Sequence, residues 1–263
     1  MWRGVLMSNE IVCSLRLAAA LVGCVALAGC TGGATGLGLN LVSQEQLADL
    51  GQQDWQRLLA TTQTSNNQSY QRRAEQVSMR LLRAAGLNAG EWEVRVFKGD
   101  QANAFALPGQ KIGVYEGLFQ YAKTDAQLAA VIGHEIAHNL EGHAAERVST
   151  QMATEAGTGL LGAALGASGI GGSDLIAAAL GTGAQYGLIL PYSRNQELEA
   201  DRIGLLMMAR AGYDPQAAIE LWQNMKEAGG QPPTFLSTHP GTEDRIAALQ
   251  KLMPEAKAAY KAS

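Results

Sequence analysis

The segment His134-Glu135-Ile136-Ala137-His138 has the residue types and the spacing of a catalytic zinc motif. Residues four apart lie on one face of a helix, so the two imidazoles can bind one zinc ion. Glu135 projects about 100° round the same turn, toward the zinc position that stays open for water. Its carboxylate can take a proton from that water, whose pKa zinc lowers. The motif therefore predicts attack of water on a peptide carbonyl and hydrolysis of the peptide bond.

A catalytic zinc needs a third protein ligand. The metzincin pattern would require glycine and histidine where this chain has Glu141 and Ala144, and His143 is out of register, so we expect His143 on the helix surface. A carboxylate from another helix is expected instead. Glu197 can bind the zinc, and Asp201, four residues later, can accept the free ring N–H of a ligand histidine. The alternative for this acidic pair is a solvated helix face.

The spacing of apolar residues predicts an α+β fold, mainly helical with a small sheet. Residues 92–97 alternate like a half-buried strand, and Pro108-Gly109 between the apolar runs 104–107 and 112–115 predicts a hairpin. One domain, 44–263, is long enough to bury a sizeable core. Helices are expected at 44–60, 67–85, 125–150, 194–211, 215–228 and 242–252.

Residues 157–190 are apolar and rich in glycine, but Asp174 and the Gly171-Gly172 pair interrupt them. Neither half is long enough to span a bilayer. Two closely packed helices over the active site, a mobile lid and a membrane-surface contact are the open alternatives.

The first thirty residues are typical of a lipoprotein leader. An apolar run at 17–27 follows Arg3 and Arg16 and is too short to span a membrane. It ends in Leu27-Ala28-Gly29-Cys30, which resembles the bacterial lipobox. We therefore expect a signal peptide at 1–29, lipidation of Cys30 and a glycine-rich tether at 30–43.

Three separated motifs resemble those of one gluzincin family of zinc metallopeptidases. They are HEIAH at 134, SRNQELEAD at 193, and Thr238-His239-Pro240 followed by Arg245. The family contains the CaaX prenyl endopeptidases and the HtpX-type membrane proteases, and the lipobox makes this chain similar to its periplasmic lipoprotein branch. The resemblance covers 70–263 and implies a zincin-like domain that holds one zinc per chain. It also implies the following roles: zinc ligands His134, His138 and Glu197, base Glu135, and supporting carboxylate Asp201.

A further segment, Asn103-Ala104-Phe105-Ala106-Leu107-Pro108-Gly109, resembles the family's NAxxxPG sequence. In the family its edge strand lies along the substrate, which implies this role for Asn103, Ala104 and Phe105. An extended peptide can pair with an edge strand through its backbone, with little sequence selectivity. A turn-capping amide is the alternative for Asn103. Gln110 stands where the family often has a second glycine, which affects the turn.

Arg245 and His239 are candidates for stabilising the oxyanion. His239 lies in a proline-rich loop, which fixes where its imidazole points. An imidazole is also a good zinc ligand, so His239 could instead occupy the open zinc position and hold the enzyme at rest. The remaining alternative is a histidine that merely precedes the 242–252 helix.

The zinc motif predicts a zinc-dependent endopeptidase. The family resemblance and the leader imply that it acts in the bacterial cell envelope and cleaves unfolded or misassembled envelope proteins. The expected location is periplasmic, lipid-anchored through Cys30 at the inner leaflet of the outer membrane, with possible contact to outer-membrane assembly machinery. The net charge of −4 provides no basic stripe, so no nucleic-acid partner is expected. The cysteines Cys13, Cys24 and Cys30 leave no disulfide in the mature chain.

Two rival functions remain open at this stage. A chaperone or assembly factor could keep zinc for structure, but such a site needs no base, and Glu135 is intact. A hydrolase of lipid chains or small molecules is the second rival, and the edge-strand sequence favours peptides over it.

Overall fold

The computed structural model describes residues 41–150, 192–227 and 233–262. The predicted signal peptide, Cys30, almost all of the predicted tether and the glycine-rich segment 157–190 lie outside these residues. All described residues belong to one compact unit, Gly36–Ser263.

The described helices occupy most of the sequence positions at which helices were predicted. Residues 143–150 form α4, and two short 3₁₀ helices, Ala89–Glu91 and Glu116–Gln120, flank the sheet in sequence. The other helices are α1 (Gln44–Thr61), α2 (Gln68–Ala84), α3 (Asp125–Leu140), α5 (Arg194–Arg210), α6 (Gln216–Lys226), α7 (Thr234–Thr238) and α8 (Thr242–Lys261).

A three-stranded sheet accompanies the helices and confirms the predicted α+β class. Its strands are β1 (Glu93–Phe97), β2 (Ala104–Leu107) and β3 (Lys111–Tyr115), in the order β1-β3-β2. β3 pairs parallel to β1 and antiparallel to β2, so β2 and β3 form the predicted hairpin. Gln110 adopts φ 66° in the turn, a left-handed conformation that glycine adopts more easily.

Two helix boundaries differ from the prediction by more than two residues. The expected helix 125–150 is broken after Leu140, because Gly142 takes φ 68° and turns the chain before α4. The last helix continues past residue 252 and through Pro254 to Lys261, since Met253 and Ala256 extend its buried face.

The two helices that carry the predicted zinc motifs begin at well-defined caps. The Thr124 side chain accepts a hydrogen bond from the Gln127 backbone N–H, and the Gln127 side chain accepts one from the Thr124 backbone N–H. Ser193 and Gln196 form the same pair of hydrogen bonds at the start of α5. Each capping box satisfies N–H groups that the first helical turn leaves unpaired. The starts of α3 and α5 are therefore fixed by local sequence.

The sheet has an aliphatic face and an aromatic face. Alternate strand residues, including Val96 and Ile112, pack with α2 and α3 in the main core. On the other face, Trp55 of α1 lies edge-on to Phe97 and Phe105, with ring centroids 5.6 Å and 6.4 Å away. Among the described residues no helix is both long and apolar enough to cross a membrane.

Helices α3 and α5 meet at two glycines, which brings the two zinc motifs together. A Cβ on Gly204 would lie 2.8 Å from the His134 backbone nitrogen, and one on Gly133 would lie 3.2 Å from the Gly204 carbonyl oxygen. Backbones can approach this closely only where side chains are absent. The crossing therefore sets the separation between His134 and the α5 carboxylates.

We expect Gly204→Ala to destabilise the protein by about 1–3 kcal/mol and to weaken zinc binding, because the added methyl must push α5 away from His134. Thermal unfolding and a zinc titration measure the two effects. Gly90→Ala is the control, since its Cβ meets nothing closer than the Asn88 Oδ1 at 3.5 Å. Unchanged zinc affinity in Gly204→Ala would show that α3 and α5 can separate slightly without disturbing the zinc ligands.

Candidate metal centre

Helices α3 and α5 bring the three predicted zinc ligands together in the protein interior. The Nε2 atoms of His134 and His138 are 3.0 Å apart. Glu197 places Oε2 3.4 Å from the first and Oε1 3.5 Å from the second. All three side chains are buried, so the ring nitrogens and the carboxylate face one small volume.

His239 adds a fourth ligand atom to this group. Its Nδ1 lies 2.9 Å from Glu197 Oε1 and 3.1 Å from His134 Nε2. The four candidate ligand atoms, from His134, His138, Glu197 and His239, all lie within 4.8 Å of one another. His239 is the C-cap residue of the short helix α7 and is fully buried.

The spacing of these atoms fits a zinc ion. Tetrahedral zinc with bonds of about 2.0–2.1 Å has ligand atoms about 3.3 Å apart. The five separations given above run from 2.9 Å to 3.5 Å. Three imidazole nitrogens and one carboxylate oxygen are also a donor set that zinc prefers.

Glu135 lies between the metal cluster and strand β2. It accepts a hydrogen bond from the backbone N–H of Ala106. Its Oε1 is 3.2 Å from His239 Nε2, but neither atom has a partner in hydrogen-bond geometry. A buried carboxylate oxygen left without a partner next to a metal site is placed to contact a bound water.

Asp201 and Arg245 form a second layer behind the ligands. Asp201 Oδ1 is 3.0 Å from His134 Nδ1. Arg245 binds Asp201 through Nε and Nη2, at 2.6 Å each, and Glu197 Oε2 through Nη1, also at 2.6 Å. Nη1 also donates to the His239 carbonyl at 3.1 Å.

These contacts bear on the oxyanion role expected for Arg245. The side chain is fully buried, all three guanidinium nitrogens are engaged, and its plane lies 4.1 Å from the Trp222 ring centroid. The guanidinium thus holds Asp201 and Glu197 in place. A donor that stabilises an oxyanion must instead face the substrate carbonyl.

Burial and hydrogen bonding set the protonation of the ligands. Burial lowers the pKa of His138 to about 2 and that of His239 to about 4. Burial raises the pKa of Glu197, but hydrogen bonds from His134, His138 and His239 outweigh it and hold that pKa far below its usual range. Neutral imidazoles beside an ionised carboxylate are in the form that binds metal.

His134 and Glu135 have raised pKa values in the metal-free chain. Burial and the Arg245 charge lower the pKa of His134, yet hydrogen bonds to Asp201 and Glu197 raise it to about 9. Burial raises the pKa of Glu135 to about 7. His134 therefore tends to hold a proton that a bound divalent cation would displace.

The edge-strand residues are only partly gathered at this site. Asn103 is buried, and neither atom of its side-chain amide has a hydrogen-bond partner. Ala104 is also buried, on the aliphatic face of the sheet. Phe105 points the opposite way, into the aromatic cluster with Trp55.

His143 corrects the prediction of a surface residue. It is buried, and its Nδ1 lies 2.8 Å from His138 Nδ1. The reason is the break at Gly142, which turns α4 back against the metal helix instead of continuing it. Tyr192 was also missed: its ring stacks on His138 with centroids 3.8 Å apart. A turn signal at Gly142 was the available clue for His143.

Comparison with known proteins places the chain in a family. Residues 67–253 match the model of Peptidase family M48. Mitochondrial metalloendopeptidase OMA1 of Schizosaccharomyces pombe is 38% identical over 184 residues, which cover 69% of this chain and 52% of that protein. The OMA1 protein of Saccharomyces cerevisiae is 35% identical over 186 residues, covering 67% and 51%.

A bacterial relative is also similar. The Beta-barrel assembly-enhancing protease of Escherichia coli K12 is 34% identical over 178 residues, covering 65% of this chain and 36% of that protein. The chain thus spans about half the length, or less, of the curated relatives that it matches.

The predicted location at the inner leaflet of a bacterial outer membrane is wrong. Relatives from Schizosaccharomyces pombe, Arabidopsis thaliana and Saccharomyces cerevisiae are named mitochondrial metalloendopeptidases. The prediction rested on the leader, 1–30, whereas the family match begins at residue 67.

The order of the zinc motifs, the burial of their ligands and the family match agree. The chain belongs to peptidase family M48, a family of zinc-dependent metallopeptidases.

Proposed function

We propose that this chain hydrolyses internal peptide bonds, with zinc held by His134, His138 and Glu197. The position of Glu135 carries the proposal. Its unpartnered Oε1 faces the ligand cluster while the rest of the carboxylate is fixed by the Ala106 N–H. A zinc site that only stabilised the fold would need no such base.

The chemistry follows from where the protons lie. Zinc, when bound, lowers the pKa of a water molecule and polarises the carbonyl of the substrate. Glu135 accepts the proton of the attacking water at Oε1 and passes it to the leaving amine. A pKa raised to about 7 by burial suits a carboxylate that must accept a proton and then release it. Asp201 accepts the Nδ1–H of His134, which keeps the other nitrogen free for metal.

Strand β2 offers a backbone edge for the substrate. The Asn103 carbonyl accepts a hydrogen bond from the Tyr115 N–H of β3 at 2.9 Å. Because backbone groups alternate in direction along a strand, Ala104 and Ala106 present theirs to the opposite side. That side includes the Ala106 N–H bound to Glu135. A peptide paired with Ala104 in extended conformation therefore runs past the base.

The substrates that we propose are unfolded or misassembled envelope proteins. Backbone pairing with an edge strand requires an extended segment, which unfolded chains supply and folded domains bury. The name of the Escherichia coli relative, Beta-barrel assembly-enhancing protease, supports a connection with the assembly of β-barrels.

His239 is proposed to control access to the metal. Four protein ligands complete a tetrahedral zinc site, and water then has no position. The segment that carries His239 is held against the sheet by a hydrogen bond from the Phe235 N–H to the Ala102 carbonyl, at 3.0 Å. Release of His239 would open the fourth position, and the freed imidazole could then assist the oxyanion.

The ligand assignment predicts metal loss. His134→Ala and Glu197→Ala should each lose most of the zinc, because each removes one of the three proposed permanent ligands and leaves only two of them beside His239, the ligand proposed to leave. Elemental analysis of the purified proteins measures this, with Glu220→Ala, an exposed carboxylate, as control. Full zinc occupancy in both variants would refute the assignment.

Glu135→Gln should keep zinc and fold but lose cleavage of unfolded casein by about 10²–10⁴-fold, because the amide cannot accept a proton. The comparison is made at equal zinc content. If the metal-loaded variant cleaves at the wild-type rate, Glu135 is not the base. If wild-type protein itself shows no cleavage, the peptidase proposal fails.

His239→Ala should raise basal proteolysis at unchanged zinc content, because it removes the ligand that occupies the position of water. Ser237→Ala, an exposed change on the same helix, is the control. A lower rate without metal loss would assign His239 to oxyanion stabilisation instead. The wild-type rate and zinc affinity would leave no functional role for it.

A further inference from the structure

His138 and His143 share a short contact on the side of His138 that faces away from the metal cluster. Their Nδ1 atoms are 2.8 Å apart, and His143 Nε2 lies 3.4 Å from Glu199 Oε2. His143 is 3% exposed and the Glu199 side chain is 51% exposed. The three side chains thus form a chain of contacts from the centre to the protein surface.

The contact fixes where the protons lie. His138 Nε2 faces the cluster, so it must keep its lone pair free to bind metal. A neutral imidazole then carries its proton on Nδ1 and must donate it. At 2.8 Å, the acceptor is His143 Nδ1. His143 in turn carries its own proton on Nε2, which points to the Glu199 carboxylate.

The two ligand histidines of α3 are therefore supported differently. His134 donates directly to Asp201, whose charge Arg245 balances inside the protein. His138 reaches a carboxylate only through a second imidazole, and that carboxylate is half exposed. A histidine that ligates metal through one ring nitrogen nearly always has such an outer partner on its other ring nitrogen.

The turn after α3 delivers this partner. Gly142 takes φ 68°, a conformation that side chains disfavour, and the next residue is then directed back at His138. Tyr192 covers one face of the His138 ring, at 3.8 Å between centroids and 19° between planes. Stacking holds the plane of the ring, but it does not decide which nitrogen carries the proton. His143 makes that choice.

We propose that His143 is a positioning residue that holds His138 with Nε2 toward the metal, and that Glu199 orients His143. The proposal rests on the proposed zinc site of the peptidase. Loss of an outer partner of this kind typically lowers metal affinity by about 10–100-fold.

The experiment measures zinc affinity of the full chain by competition with a chelator. His143→Leu keeps an apolar side chain of moderate size but removes the acceptor, so its zinc affinity should fall by about 10–100-fold. His143→Gln keeps an acceptor oxygen and should recover most of that loss. Glu199→Gln should cause a smaller loss, because the neutral amide still offers an oxygen to His143.

Glu141→Gln is the matched control. It removes an exposed negative charge that acts on His143 without a hydrogen bond to the ring, so zinc affinity should stay at the wild-type value. Substitution of zinc by Co²⁺ gives a second readout, since a misoriented His138 changes the visible spectrum of the metal. Thermal unfolding of the metal-free proteins reports packing alone.

Three results would overturn the proposal. One is wild-type zinc affinity in His143→Leu. Another is an equal loss of zinc affinity in the Leu and Gln variants that follows their loss of thermal stability without metal. That result would mean that His143 contributes packing only. The third is equal loss in Glu141→Gln, which would make the effect one of charge. If the Leu variant does not fold, lower zinc affinity in Glu199→Gln than in Glu141→Gln supports the proposal, and equal affinity in the two variants opposes it. If the wild-type protein has no peptidase activity, the proposed function is wrong, but the comparison of zinc affinities still tests the role of His143.

Discussion

Charge balance inside the protein is the constraint on which the rest of the structure depends. Glu135, Glu197 and Asp201 are all buried, and burying unpaired carboxylates is costly. Arg245 supplies one positive charge through close contacts with two of them. A divalent ion would supply the other two, so the loaded centre is neutral with uncharged histidines. Burial raises the pKa of Glu135 within this group, and hydrogen bonds to Asp201 and Glu197 raise that of His134 although burial lowers it.

The same charge balance explains why several helices contribute residues to one small volume. The three carboxylates and the arginine come from α3, α5 and α8. Burying any one of these charged groups without the others would cost free energy. Glycines at the α3–α5 crossing permit the approach, and capping boxes fix where both helices start. Trp222 covers the guanidinium, which excludes water from the ion pairs. The catalytic machinery is therefore also a large part of the core around it.

How much the sequence could predict depended on the range of the interaction. Helical spacing, which is a local property, predicted that His134 and His138 share one metal ion, and the α+β class followed from periodicity. Spacing alone left Glu197 open between a ligand and a solvated acidic residue, and the family resemblance implied its role. The inward turn of His143 was missed because a single left-handed glycine decides it, and spacing alone cannot reveal φ. The contacts of Arg245 with Asp201 and Glu197 could not be predicted from local sequence, because they depend on the packing of α8 against α5. The location was predicted from a leader that lies outside the part of the chain matching the family.

The four candidate ligands are not equally fixed, and this difference bears on function. His134 and His138 are on a sixteen-residue helix that packs on both the sheet and α5, and each has an outer partner for its second nitrogen. Glu197 is tied to Arg245. His239 instead ends a five-residue helix, and its Nε2 faces Glu135 without a hydrogen bond. Removing His239 leaves the buried charges paired, because a neutral imidazole contributes none. The release of His239 that we propose would therefore leave these charges balanced, and it would free a position for water at a bound zinc ion.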